Sequence, residues 1–404
     1  MKAVRIFILI LLLFGMWILP VGCGGGGGDG GNTSNSSNTT TTQTNMQTIT
    51  VNGGPQSISS YPYLNGAFTS VTVCVPGTST CQTIDNVLVD TGSYGLRLLS
   101  SALTLALPIE TTGSGKQIGE CVQFGDLSYI WGPIQTADVY LANGNEIAHS
   151  VPIHVLNPNY YVVPSDCSSG MSIGEEDTLS TLGANGILGI GSSQYDCSFG
   201  GTNYCDSGSP LAATYYACTS SGCTNTIVSL SQQVQNPVAL FPRDNNGVII
   251  ELPAVSGPTS SITGSMVFGI GTQTNNALGS AKKFSLDQDG YINTTLNGTL
   301  SGSYIDTGSN AYFFQDDVIP YDSTSLWYTP GSTLTFSAVI GSKTNVNFSV
   351  GNADNMFDDY PNDAVLNALA GYSIGPFAWG LPFFYGRYVY TSISTNGAGA
   401  YWAF

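Results

Sequence analysis

The chain has 404 residues, of which 42% are hydrophobic and only 9% charged, with a net charge of −17 and a pI near 4.1. So few Lys and Arg residues exclude nucleic acid as a partner, because phosphates would find almost nothing to neutralise them. The length suits two lobes better than one core, and Ser, Thr, Asn and Gly are left to carry the polar surface.

The first element in chain order is a targeting segment over 1–23. Lys2 and Arg5 precede an apolar run, Ile6 to Leu19, that is short for a membrane span, and Val21-Gly22-Cys23 follows as a small-residue cleavage context. It resembles a bacterial lipoprotein signal, although Pro20 stands where such signals favour Leu. The resemblance implies lipidation of Cys23 and a place in the cell envelope, at the outer-membrane surface or in the periplasm, with plain secretion as the alternative. The membrane is then met only through that anchor. Residues 24–48, with "GGGGGDGGNTSNSSNTTTTQTN", cannot bury a core and predict a flexible tether.

Nine cysteines are an odd number, and setting Cys23 aside leaves eight, which in an exported chain reads as disulfides. Cys74 and Cys81 flank a turn. Cys197 with Cys205 and Cys218 with Cys223 could close similar loops, which leaves Cys121 and Cys167 as a long-range pair; spacing alone keeps other pairings open. A metal site is disfavoured, with His149 and His154 the only histidines and no pair of Cys-x-x-Cys motifs.

Beyond the tether the elements are strands. "FTSVTVCV", "NVLVDT", "ADVYLANG", "VPIHVL", "GVIIEL", "GSMVFGIG", "TLTFSAVI", "TNVNFSV" and "RYVYTSIS" are short, β-branched or aromatic, and separated by Gly, Asn, Pro or Ser clusters. Helices are predicted at two places, "SSALTLAL" and "NDAVLNAL", the second after Pro361. The fold class is mainly β.

A repeat then divides the chain. "VLVDTGSYGLRLL" at Val87 returns as "SYIDTGSNAYFF" at Ser303, with Asp90 and Asp306 lying 216 positions apart. One Asp-Thr-Gly-Ser is most simply a turn whose Asp accepts backbone N–H bonds. Two copies, each behind an aliphatic residue and each followed by an apolar-apolar-Gly run (Ile187-Leu188-Gly189 and Ala378-Trp379-Gly380), predict a duplicated architecture. Each half then offers one Asp loop and one later strand to cross it.

These halves resemble those of pepsin-like aspartic peptidases. The resemblance implies a bilobal fold of two related β-barrel lobes, 49–245 and 246–404, around a central cleft, and a monomer that hydrolyses polypeptide without a cofactor. "FGDLSYIWGPIQTADVYLANG" looks like the flap hairpin and the strand after it, with Phe124, Gly125 and Tyr129 at the flap and substrate cleft, and packing within the hairpin is the equal alternative for Phe124, Tyr129 and Trp131. The chain is similar as well to an uncharacterised group of bacterial secreted or lipoprotein-like proteins with the "CVPGTSTCQTIDNVLVDTGS" opening. By the resemblance Asp90 and Asp306 are the catalytic pair, Thr91 and Thr307 hydrogen-bond across the loops, and Ser93 and Ser309 donate to the outer carboxylate oxygens. Gly92 and Gly308 let the backbone turn tightly.

Three positions depart from the family pattern. Phe124 stands where a covering Tyr is usual, Arg97 where that Tyr has a Trp partner, and Leu381-Pro382 follow Gly380 where Gly-Asp is common. With the wealth of aromatic residues, these departures motivate an alternative, a catalytically silent pepsin-like surface protein that binds peptide or glycan.

Overall fold

The computed structural model describes residues 44–55, 62–199, 201–206, 208–395, 397 and 399–404; the targeting segment with Cys23, and the tether up to residue 43, lie outside them. The first lobe contains β1 (Met46–Asn52), β2 (Gly66–Cys74), β3 (Cys81–Asp90), β4 (Tyr94–Leu99), β5 (Gln117–Gln123), β6 (Ser128–Leu141), β7 (Glu146–Leu156), β8 (Gly174–Glu175) and β9 (Gly186–Ile190). Residues 46–48, expected to end the tether, instead open β1. They are held there by pairing with the strand Ile262–Phe268 of the second lobe. Because β1 also pairs with β2, one sheet runs from lobe to lobe.

The apolar run before the first Asp has a direct structural cause. The outer part of β3 alternates exposed and buried positions, whereas Val87–Asp90 is buried throughout, since β9 joins it there in parallel register from Val87↔Gly186 to Asp90↔Gly189. β4 leaves the turn and runs antiparallel to the same β9. The second lobe repeats the unit. Thr299–Ile305 lies parallel to Phe377–Trp379, and Tyr312–Phe314 returns antiparallel to it. In both halves glycine is required where the crossing strand meets the loop. A Cβ at Gly189 would stand 2.6 Å from the Tyr94 nitrogen, and one at Gly380 would stand 2.1 Å from the Ala311 oxygen.

Much of the aromatic content fills the second lobe's core. Phe314 stacks on Phe377 at 5.0 Å between ring centres, and Phe377 on Trp379 at 4.3 Å. Four disulfides join Cys74–Cys81, Cys121–Cys167, Cys197–Cys205 and Cys218–Cys223. Such a set marks an extracellular or periplasmic protein. Among the described residues no helix is long and apolar enough to cross a membrane.

Neither predicted helix forms. At 100–107, Gln82 holds the chain open by donating to the Ala102 carbonyl and accepting the Thr104 N–H. At 362–369, the backbone groups a helix would use are taken by Thr259 and Asn65. A helix forms just before, at Ala353–Asp359, capped by Asn352 accepting from the Asn355 N–H.

Candidate active site

The duplicated turns meet at the junction of the lobes. Thr91 N–H donates to the Thr307 hydroxyl and Thr307 N–H to the Thr91 hydroxyl, each at 3.0 Å. The hydroxyls donate onward across the junction, Thr307 to the Val89 carbonyl (2.7 Å) and Thr91 to that of Ile305 (3.3 Å). The two loops are thereby fastened to each other by the residue that follows each Asp.

Asp90 and Asp306 are both 0% exposed, and each lies in the other's electrostatic field. Each has its own donors. Gly92 N–H (2.8 Å) and the Ser93 hydroxyl bind Asp90, while Gly308 N–H (2.7 Å) and the Ser309 hydroxyl (2.6 Å) bind Asp306. Burial pushes both carboxyls up, and Asp306 goes well above the ordinary range because the charge of Asp90 adds to burial. Asp90 rises less, since Asp306, Ser93, Gly92 and the charge of Arg97 all favour its ionised form. Two carboxyls so placed hold one proton between them.

The flap expectation needs correction. β5 and β6 do form a hairpin, but the Phe124 ring is fully buried in an apolar cluster with Val122, Ile130 and Leu182, so it is core and not a cleft-facing group. An apolar ring gains more from that packing than from a wet turn. Gly125 is half-buried in the turn, and Tyr129 pairs with Glu175 on β8, its phenol pushed up by burial and by the charge of Glu175.

Arg97 is wholly buried. Its guanidinium lies 3.1 Å from Glu120 and 3.6 Å from Asp196, and it donates to the Tyr94 carbonyl. His154 Nδ1 stands 3.2 Å from the other Glu120 oxygen. Tyr215 donates its hydroxyl to Asp196 (2.8 and 2.9 Å) and accepts the Val234 N–H. Sequence reasoning singled out Arg97 but none of its partners. It missed equally Tyr94 and Tyr304, whose phenols are pushed up by burial and by the charges of Asp90 and Asp306. Among the described residues no group of His, Cys, Asp or Glu suits a metal ion.

Most of the shifted carboxyls make acid favourable. Burial raises Asp90, Asp306, Glu120 and Asp177, lifts Glu146 from 4.5 to about 8 with help from Asp244, and lifts Glu175 to about 7. A carboxyl raised in the folded state contributes stability below its unfolded value and loses it as pH climbs through the folded one. Opposing this, burial depresses His154 below 6.5, a contribution lost only under that pH, and main-chain N–H donors depress Asp138, whose contribution is lost in stronger acid. Above 6.5 the raised carboxyls act alone. The thermal midpoint is therefore expected to be lower at roughly pH 9 than at roughly pH 6, which calorimetry at matched ionic strength would check; a higher midpoint at alkaline pH contradicts the assignment.

The structure is similar to the crystal structure of the aspartic proteinase from Irpex lacteus, with a TM-score of 0.53 and 17% identity over 89% of this chain and 96% of that one. At that identity the likeness establishes the pepsin-like fold. No curated protein matches the chain. A family model spans residues 41–404, both lobes included, and the chain belongs to that family, described as Protein of unknown function (DUF3443).

Proposed function

We infer that the protein is an aspartic endopeptidase. The observation that carries this is the pair of buried carboxyls on loops fastened to each other through Thr91 and Thr307, each carboxyl fixed by its own serine and glycine donors. In the reading, Asp90 is the ionised member and takes a proton from a water held at the pair. Asp306 gives its proton to the peptide carbonyl oxygen as the water oxygen bonds to carbon. Collapse of the tetrahedral species breaks the C–N bond as the proton gained by Asp90 passes to the leaving nitrogen and a hydroxyl proton of the diol returns to Asp306, which restores the starting pair. The cleft between lobes 49–245 and 246–404 would hold the polypeptide extended.

The test is cleavage of an unfolded protein across acid and alkaline pH, together with binding of a statine peptide, whose hydroxyl imitates the tetrahedral species. Turnover confined to the acid side and tight statine binding are expected. Absence of both rejects the reading and favours the silent peptide- or glycan-binding protein, which the complete burial of the pair supports. The aromatic residues support that alternative less, since many of them are core. Lipidation at Cys23 is part of the same proposal. Its support is the signal-like segment together with the pairing of the other eight cysteines.

A further inference from the structure

The two Asp units match strand for strand, and one matched position differs in charge. In the first lobe Asp90 pairs with Gly189, which pairs with Gly95, and one step along the same face Leu88, Ile187 and Arg97 follow in the same order. In the second lobe the corresponding row is Tyr304, Ala378 and Phe313. Arg97 and Phe313 each lie seven residues after their Asp. Paired residues on neighbouring strands project from one face of a sheet, as do residues two apart along a strand, so Arg97 stands on the face that carries Asp90. Gly189 and Gly95, on that face beside them, bring no side chain between the two. Phe313 is buried against Trp327, with 5.8 Å between ring centres.

The cation is held in place from several elements. Its guanidinium donates to the Tyr94 carbonyl, one residue past the Ser93 that binds Asp90, and faces Glu120 on β5 and Asp196 after β9. Glu120 is itself fixed by strand pairing with Gly132 and Tyr215, and Asp196 by the Tyr215 hydroxyl. His154, level with Arg97 on β7, lies against the far oxygen of Glu120, and burial with the nearby Arg97 charge keeps it neutral. The charge of Arg97 favours the ionised form of Asp90, whereas burial and the charge of Asp90 press Asp306 to keep its proton. Tyr63 and Tyr94, whose phenols burial raises, stay neutral in the field of Asp90.

We propose that Arg97 is a positioning residue for the carboxyl pair: a buried cation on the Asp90 face of the sheet, it designates Asp90 as the base, while Phe313 at the matching place leaves Asp306 as the acid. The inference rests on the hydrolytic reading. It gives two turns of identical sequence different roles by a difference in what stands behind them. Two strand spacings, roughly 10 Å, separate β4 from β3, and across an enclosed core a charge acts over that distance with little screening by salt.

The acid limb of kcat/KM on unfolded protein reports the base of the free enzyme. Arg97→Met removes the cation and should move that limb up by about half a pH unit to one unit, because Asp90 then holds its proton more firmly. Arg97→Lys keeps the charge and should leave the limb at the wild-type position. Asp196→Asn removes an anion beside the guanidinium while keeping an acceptor for Tyr215, so its limb should move down. A purely structural role lowers turnover in these variants and displaces the limb in none. Limbs unchanged in Arg97→Met and Asp196→Asn, limbs displaced in the same direction by both, or a limb displaced as far by Arg97→Lys as by Arg97→Met overturn the inference; an active wild type beside an inactive Asp306→Asn then leaves the hydrolytic reading standing. If Arg97→Met does not fold, the direction of the Asp196→Asn limb decides alone. An inactive wild type removes both.

Discussion

Asp306→Asn and Asp90→Asn should each lower turnover of unfolded protein at acid pH by roughly 10³-fold or more, with the fold retained. The amide has nearly the carboxyl's shape, and its oxygen can still accept the neighbouring N–H, so the loops stay fastened through Thr91 and Thr307. What it lacks is the ability to exchange the proton the pair holds. Asp306→Asn carries a second, independent signature. Burial opposes ionisation of Asp306, so a neutral amide there should leave stability at neutral pH equal to or above wild type. Turnover assays and denaturant unfolding measure both effects, and unchanged turnover in the two variants rules out a hydrolytic role for the pair.

The largest stability loss is expected from Arg97→Met, about 3–5 kcal/mol near neutral pH. The substitution keeps an unbranched apolar stem but removes the buried cation facing Glu120 and Asp196 and the donor to the Tyr94 carbonyl. Burial already pushes the Glu120 carboxyl well up against the pull of Arg97, so without the cation Glu120 would hold its proton still more firmly. The loss should therefore shrink as pH falls. Arg97→Met with Glu120→Met should recover part of it, because two packed apolar groups replace a partly orphaned pair. Urea titration of the three variants decides the matter, and a loss below about 1 kcal/mol for Arg97→Met would show the cluster to be dispensable.

The two halves and their Asp turns could be read from residue order because their causes are local. A glycine-rich turn behind an apolar strand has the same signature wherever it occurs, and its recurrence 216 positions later exposed the duplication. The two misjudged helices show where local reasoning ends. Their propensities were overruled by Gln82 in one case and by Asn65, some 300 positions away, in the other. Phe124 is a similar case. Its place on a hairpin was legible, but the direction of its ring depended on which apolar surface arrived beside it.

The sequence by itself determined the strands, the export-type cysteine set and the identity of the two acids, since β-branched runs, paired thiols and repeated turn chemistry need few distant neighbours. Only the tertiary structure decided that the loops of these acids are fastened together, that Arg97 finds Glu120 and Asp196 with His154 on the far oxygen of Glu120, and that Asn65 bridges to the second lobe. The reason is physical. Burial and proton sharing are properties of the enclosed site, where charges and hydrogen-bond donors from distant segments act on one another without intervening water.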